Sequence, residues 1–142
     1  MNSSRAFTII ELIFVIVVLG ILAGVALPRF ESTREMADIA KGKGDVVTIR
    51  TAIANERQSR VILGTPSYPT NAELDAGGLF GGVLMNPMPS GSTSGNWDNN
   101  GANGNGSYRY WVGTTSTQFD YNATSGNFGC TTNTGDCNAL VD

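Results

Sequence analysis

One glutamate interrupts an otherwise apolar stretch near the start of the chain. Glu11 is followed by sixteen residues, Leu12 to Leu27, that carry no polar side chain. As a helix, the stretch from Phe7 to Leu27 would be about 31 Å long, which matches a hydrocarbon core of about 30 Å. Because an unpaired carboxylate in such a segment costs several kcal/mol, Glu11 predicts a cationic partner, and that partner can come from another molecule.

The residues before the apolar stretch suggest what the cation is. Residues 1–6 form a short polar leader with one basic residue, Arg5. Cleavage after Ala6 would make Phe7 the new N-terminus and would place a free amine four residues before Glu11. An N-terminal amine is therefore the candidate partner of the carboxylate.

These residues resemble the start of the type IV prepilin family, which includes type IV pilins and the pseudopilins of type II secretion. The resemblance rests on a small residue, a Phe-Thr pair, the glutamate and the apolar run, here Ala6, Phe7, Thr8 and Glu11. It covers about the first thirty residues. The family usually has glycine where this chain has Ala6 and often leucine where it has Ile9; alanine is small enough to keep cleavage plausible.

The resemblance implies processing and assembly. A prepilin peptidase would cleave between Ala6 and Phe7 and N-methylate Phe7. Before assembly, the product would be a single-pass protein of the bacterial inner membrane, with its C-terminal domain in the periplasm or outside the cell. An inner-membrane assembly platform would then build it, with other pilins or pseudopilins, into a homo-oligomeric helical filament. Glu11 would offset a neighbour's amine, and Gly20 and Pro28 lie where the family tends to loosen or kink the helix.

Other interpretations of the segment stay open. An ordinary signal peptide with Leu12 to Leu22 as its apolar core would be cut after Ala26 and would release a soluble periplasmic binding module. A plain signal anchor would not need the motif residues in this order. An adhesin-like minor pilin or a competence pilin would share the first processing step with the filament subunit. The sequence does not separate secretion, pilus and DNA-uptake systems.

Composition fits one small exported domain and no enzyme. After residue 27, 142 − 27 = 115 residues remain, enough for one small domain. The net charge of −3 gives no basic surface for nucleic acid. The chain has no histidine, which excludes Ser-His-Asp and Cys-His catalytic arrangements. It also has no phosphate-binding glycine motif.

The long helix is predicted to continue with an amphipathic face over residues 29–63. Its apolar residues are spaced so that they fall on one stripe: Met36, Ile39, Val46, Ile49 and Ile53. Gly42 and Gly44 predict either a bend or close packing, and Gly64 with Pro66 should end the helix. A helix of about 85 Å cannot be buried in so small a chain, so its second half should cover a sheet.

The remainder predicts an antiparallel sheet. Residues 64–106 have the composition of a connecting loop with one short helix over 72–76, capped by Thr70 or Asn71. In residues 107–142, apolar and polar residues alternate over Tyr108–Val112 and Phe119–Asn122, and 127–132 is a candidate third strand. The predicted fold is α+β and pilin-like: a long N-terminal helix packed on a small antiparallel sheet. The resemblance implies the same fold.

Two cysteines and several acidic residues complete the candidate sites. Cys130 and Cys137 in an exported domain predict a disulfide, whereas zinc is disfavoured by the absence of histidine. Major pseudopilins commonly bind calcium in loops beside the sheet, and four side chains offer oxygen ligands for it: Asp98, Asn100, Asp120 and Asp136. Asn-Gly runs also form plain turns, and both interpretations stay open.

Overall fold

The computed structural model describes residues 7–100, 104–130 and 135–141, without the side chains of residues 27–29. The predicted leader, residues 1–6, lies outside the described residues. The chain divides into two compact units, Met1–Arg34 and Glu35–Asp142. The first unit contains the N-terminal part of one long helix, and the second contains the rest of that helix and the sheet.

The long helix, α1, comprises Ile9–Ile62. The helix continues through Gly20 and Pro28. It ends just before Gly64, whose φ of +83° is the left-handed conformation that glycine adopts without strain. Thr65 N donates to Arg60 O at 2.9 Å and so satisfies one of the last carbonyl groups of the helix. The predicted stop at Gly64 is confirmed.

The second unit contains a four-stranded antiparallel sheet in the order β1-β2-β3-β4. The strands are β1 (Trp97–Asn99), β2 (Ser107–Val112), β3 (Thr115–Asn122) and β4 (Asn127–Cys130). In β2, Tyr108, Tyr110 and Val112 are buried, while the residues between them are half-exposed. This alternation confirms the prediction of a half-buried strand and, with α1, the predicted pilin-like α+β fold.

The apolar stripe of α1 covers this sheet. Val46, Ile49 and Ile53 are buried, Ile39 is half-buried, and Met36 is 66% exposed. The covered stripe therefore begins at Ile39 and not at Met36. Polar contacts also join helix and sheet, since Tyr110 Oη donates to Asp38 O at 2.5 Å and Trp97 Nε1 donates to Asp45 Oδ2 at 3.0 Å.

The core beneath the helix is largely aromatic. Its rings lie 4.5 to 5.9 Å apart between centroids, for example Phe80 and Tyr108 at 4.5 Å and Phe119 stacked on Phe128 at 5.4 Å. Such tilted, stacked and edge-on pairs stabilise a core beyond the area they bury. The aromatic residues therefore form a packed core.

Gly42 and Gly44 have different environments in α1. A Cβ added at Gly42 would lie 2.5 Å from Tyr110 Cε1 and 2.6 Å from Leu140 Cδ2, whereas one at Gly44 would meet no atom within 4 Å. Of the two explanations left open for these glycines, close packing holds at Gly42. Gly44 faces open space, and nothing in the structure requires glycine there.

Two short helices and one strand refine the sequence prediction. The first helix, α2 (Asn71–Leu74), is capped by Thr70, one of the two predicted caps. The segment predicted as a loop from residue 64 to residue 106 also contains β1, because Trp97 is buried and pairs with Tyr110 of β2. A C-terminal helix, α3 (Cys137–Val141), was not predicted.

Candidate functional site

The N-terminus of α1 is closed by a reciprocal cap between Thr8 and Glu11. Thr8 N and Thr8 Oγ1 donate to Glu11 Oε2 at 3.4 and 3.3 Å, and Glu11 N donates to Thr8 Oγ1 at 3.4 Å. Thr8 is the N-cap and Glu11 the third helical residue, which is the arrangement of a capping box. The positive end of the helix dipole also favours a carboxylate here. The Thr-x-x-Glu spacing in the sequence could have predicted this cap.

Glu11 keeps capacity for a further partner. Glu11 is exposed. Within the described residues, its Oε1 accepts no hydrogen bond, and no cationic group forms an ion pair with its carboxylate. Phe7, four residues earlier, is 83% exposed. Ala6 lies outside the described residues, so the predicted cleavage site is described only from its Phe7 side.

The apolar half of α1 is uncovered on all sides within its own unit. Every residue from Phe7 to Val25 is exposed, and even the least exposed large side chain, Val18, is 37% exposed. A helix that is apolar all round is normally buried in a membrane or among other helices. In the part of the chain that the structure describes, α1 alone is long and apolar enough to cross a membrane.

The two predicted kink positions, Gly20 and Pro28, both lie within the continuous helix α1. A Cβ added at Gly20 would meet no atom within 4 Å, and the side chain of Pro28 is outside the description. Because α1 is helical at both positions, neither residue ends the helix. A kink at Gly20 or Pro28 stays a prediction.

Cys130 and Cys137 are joined by a disulfide, with their Cα atoms 5.9 Å apart. The bond ties the end of β4 to the start of α3. Leu140 of α3 is buried, and its side chain occupies the space beside α1 that a Cβ at residue 42 would otherwise fill. The disulfide therefore fixes the element whose side chain completes the helix-facing core.

The carboxylate of Asp98 is occupied by donors of its own chain. Arg109 Nε donates to Oδ1 at 2.9 Å, while Ser92 Oγ and Trp111 Nε1 donate to Oδ2 at 2.7 and 2.8 Å. Burial by itself would raise the pKa of Asp98, but these hydrogen bonds and the guanidinium charge outweigh it and lower the pKa. Both oxygens are thus engaged without a metal ion.

The other predicted calcium ligands are not gathered into a metal site. Asp120 Oδ1 accepts from Ser107 Oγ at 2.8 Å, and Asn100 Nδ2 donates to Gln118 Oε1 at 3.3 Å. Asp136 binds β3 through its main chain, donating to Thr117 Oγ1 at 3.0 Å. Among the described residues, no group of three or more acidic or cysteine side chains could hold a metal ion. The side chains of Asp98, Asn100 and Asp120 instead make hydrogen bonds to neighbouring residues of the sheet.

The structure thus combines an exposed apolar helix, which begins with a capped glutamate, and a small α+β domain. The family model for the prokaryotic N-terminal methylation motif matches residues 1–27. A type II secretion system core protein G of Klebsiella michiganensis is 30% identical over 82 residues, 50% of this chain and 58% of that protein. The type IV major alpha-pilin of Moraxella bovis is 36% identical over 53 residues, 37% of this chain and 33% of that protein.

A third relative, the type II secretion system core protein G of Escherichia coli, is 35% identical over 52 residues, 37% of this chain and 36% of that protein. The chain spans from about a third to just over half the length of these curated relatives, and no solved structure matches it. The motif and the relatives together support a place for the chain in the type IV prepilin-like family. They support a structural subunit of a type IV filament and not an enzyme.

Proposed function

We propose that this chain is the subunit of a type II secretion pseudopilus or of a closely related type IV filament. One observation carries the proposal: a capped glutamate lies at the head of an apolar helix that its own unit leaves exposed on all sides. Lipid covers such a surface before assembly, and the apolar helices of neighbouring subunits replace the lipid in the filament.

Processing supplies the cation for this glutamate. Prepilin peptidase cleaves between Ala6 and Phe7 and methylates the new N-terminus. Within one subunit, Oε2 of Glu11 holds the cap at Thr8, and Oε1 remains to accept the Phe7 amine of a neighbour. An ion pair in a low-dielectric filament core attracts strongly but also costs desolvation. Its main effect is therefore to fix the axial register of the subunits.

The proposal also gives location and partners. The subunit spans the inner membrane once, with residues 35–142 outside the cytoplasm, and is taken up by the inner-membrane assembly platform. Its contacts are other copies and other pilins or pseudopilins. Relatives named for type II secretion support a pseudopilin, while relatives named as fimbrial protein and alpha-pilin support the related pilus function as the second candidate.

The N-terminal residue of the mature protein tests the proposal. The protein is isolated from membranes of its native host, which supplies the processing enzyme, and its N-terminal peptide is identified by mass spectrometry. A methylated Phe7 is the expected result. An N-terminus at Leu27 would overturn the proposal and would favour a soluble periplasmic module released after Ala26.

A further inference from the structure

The turn between β3 and β4 contains an Asn-x-Thr sequence, Asn122-Ala123-Thr124. This is the acceptor sequence for N-linked glycans, which are added to surface loops of exported proteins. Asn122 is the last residue of β3 and is exposed, as is Thr124. The sequence therefore lies at a hairpin tip where a membrane enzyme could reach both side chains without unfolding the sheet.

The side chain of Asn122 is held in a defined orientation. Its Oδ1 accepts from Thr124 N at 2.9 Å and from Ser125 N at 3.2 Å, which forms an Asx turn. Gly126 N donates to Asn122 O at 2.8 Å and closes the hairpin. Two N–H donors on Oδ1 stabilise the negative charge that this oxygen gains when Nδ2 loses a proton. The turn thus favours the nucleophilic form of a normally unreactive amide.

A second acceptor sequence in the described chain provides an internal comparison. In Asn105-Gly106-Ser107, Asn105 Oδ1 accepts from Ser107 N at 2.8 Å, so the same turn is present. However, Asn105 Nδ2 donates to Asn100 O at 2.7 Å. Within the described residues, Asn122 Nδ2 donates no hydrogen bond. The two sites therefore share a sequence type and a turn, but among the described residues only the amide nitrogen of Asn122 has no hydrogen-bond acceptor.

The surroundings of Asn122 are polar and open. A groove beside it is lined by residues of β3, β4, the turn between them and the start of α2, among them Asn71, Asp120, Thr124 and Asn127. Asp120, two residues before Asn122, also lines this groove, and its carboxylate accepts hydrogen bonds from Ser107 Oγ and Gln118 Nε2. The hydroxyl, amide and carboxylate groups of this groove are hydrogen-bonding partners suited to the first sugar of a glycan.

We propose that Asn122 is an acceptor site for an N-linked glycan, and that Asn105 is not. The inference rests on the proposed function only in requiring that residues 35–142 leave the cytoplasm. In the reaction, Asn122 Nδ2 attacks the anomeric carbon of a lipid-linked oligosaccharide pyrophosphate. The new C–N bond replaces the C–O bond to the pyrophosphate, the amide proton passes to a base of the transferase, and lipid pyrophosphate leaves. No oxidation or reduction occurs.

The test uses the purified full-length protein in detergent. It is incubated with a bacterial oligosaccharyltransferase that accepts Asp-x-Asn-x-Thr peptides and with a lipid-linked oligosaccharide pyrophosphate as donor. Intact-mass and peptide mass spectrometry should show the addition of one glycan, located on the peptide that contains Asn122. Asn122→Gln should remove the added mass, and the matched control Asn105→Gln should leave it unchanged.

Two results would overturn the inference. One is an unmodified protein in a reaction that glycosylates a free Asp-x-Asn-x-Thr peptide. The other is a glycan on Asn105 that persists in Asn122→Gln. Because the protein is presented in detergent, neither result depends on its membrane topology or on filament assembly. Failure of the proposed function would instead be seen as a mature N-terminus other than Phe7.

Discussion

The two halves of α1 differ in whether the described structure buries their apolar side chains. In the second half, Val46, Ile49 and Ile53 are buried against the sheet of their own unit. In the first half, every residue from Phe7 to Val25 is exposed. Burial of a large apolar side chain contributes about 1.5–3 kcal/mol, so the second half is stabilised within the chain. Among the described residues nothing buries the first half, and under the proposed function its stabilisation comes from lipid or from other subunits.

The same contrast appears in two capping boxes with the same Thr-x-x-Glu spacing. In α2, Glu73 Oε2 accepts from Thr70 N at 2.7 Å and from Thr70 Oγ1 at 2.8 Å. It also pairs with Arg60 at 3.3 Å. At the start of α1, the corresponding contacts of Glu11 are 3.3 to 3.4 Å long, and no cation in the described chain pairs with it. Glu73 therefore has its cation within the chain, whereas Glu11 has none among the described residues.

Removing the charge of Glu11 should have the largest effect. Glutamine at the third helical position also completes a capping box, so Glu11→Gln keeps the helix cap and removes only the charge. We expect normal membrane insertion and a loss of filaments below detection, measured by electron microscopy and by the sheared fraction from cells. Glu73→Gln is the matched control and should assemble. Normal filaments from Glu11→Gln would contradict the pairing with the Phe7 amine.

Alanine substitutions at Gly42 and Gly44, both in the second half of α1, distinguish the effect of packing on stability from the effect of helix propensity. Gly42→Ala should lower the free energy of unfolding by about 1–3 kcal/mol, because the added methyl group overpacks against Tyr110 and Leu140. The Tyr110 ring is held by its hydrogen bond to Asp38 O and cannot easily move aside. Gly44→Ala, in open space, should raise the free energy of unfolding by up to about 1 kcal/mol.

Denaturant unfolding in detergent, followed by tryptophan fluorescence, measures both glycine variants. Both tryptophans of the chain, Trp97 and Trp111, lie in the second unit, so the signal reports that unit alone. Equal stabilisation by the two alanines would contradict close packing at Gly42. The order of the variants is informative because each makes the same change in the same helix.

The sequence predicted elements whose signals are local. The apolar run and Gly64 defined α1, and alternation in Tyr108–Val112 and Phe119–Asn122 defined two strands of the sheet. It missed β1, where Trp97 is the only apolar residue of three and the strand exists through pairing with β2. It also missed α3, a single turn fixed by the disulfide and by burial of Leu140.

The candidate sites also differ in whether their signal is local in the sequence or depends on contacts between strands. Glu11 could be selected from the sequence because one carboxylate in an apolar run is conspicuous, and its role in assembly stays a prediction. The calcium ligands were chosen from residue type alone, and the structure shows Asp98 engaged with Arg109, which lies opposite it on β2. Such cross-strand partners depend on register, and register becomes visible only when the strands are paired.

The smallest expected effect is on stability and concerns the cap of α2, which has the same Thr-x-x-Glu spacing as the cap of α1. The hydrogen bond from Thr70 N, aided by the Thr70 hydroxyl and by Arg60, lowers the pKa of Glu73 from 4.5 to about 2. A lowered pKa in the folded state stabilises the protein above pH 4.5, and this contribution is lost as the pH falls from 4.5 through 2. Thr70→Ala should cost about 1 kcal/mol at neutral pH.

Tryptophan-monitored unfolding at pH 6, 4 and 3 in low salt measures this contribution. The stability of the native protein should fall more steeply over this range than that of Glu73→Gln, whose side chain does not titrate. Because Glu73 is about half exposed, salt should reduce the difference by screening. An identical pH dependence in the two proteins would contradict the cap as the cause. It would also weaken the contrast with Glu11, since Glu73 would then gain nothing measurable from having its cation within the chain.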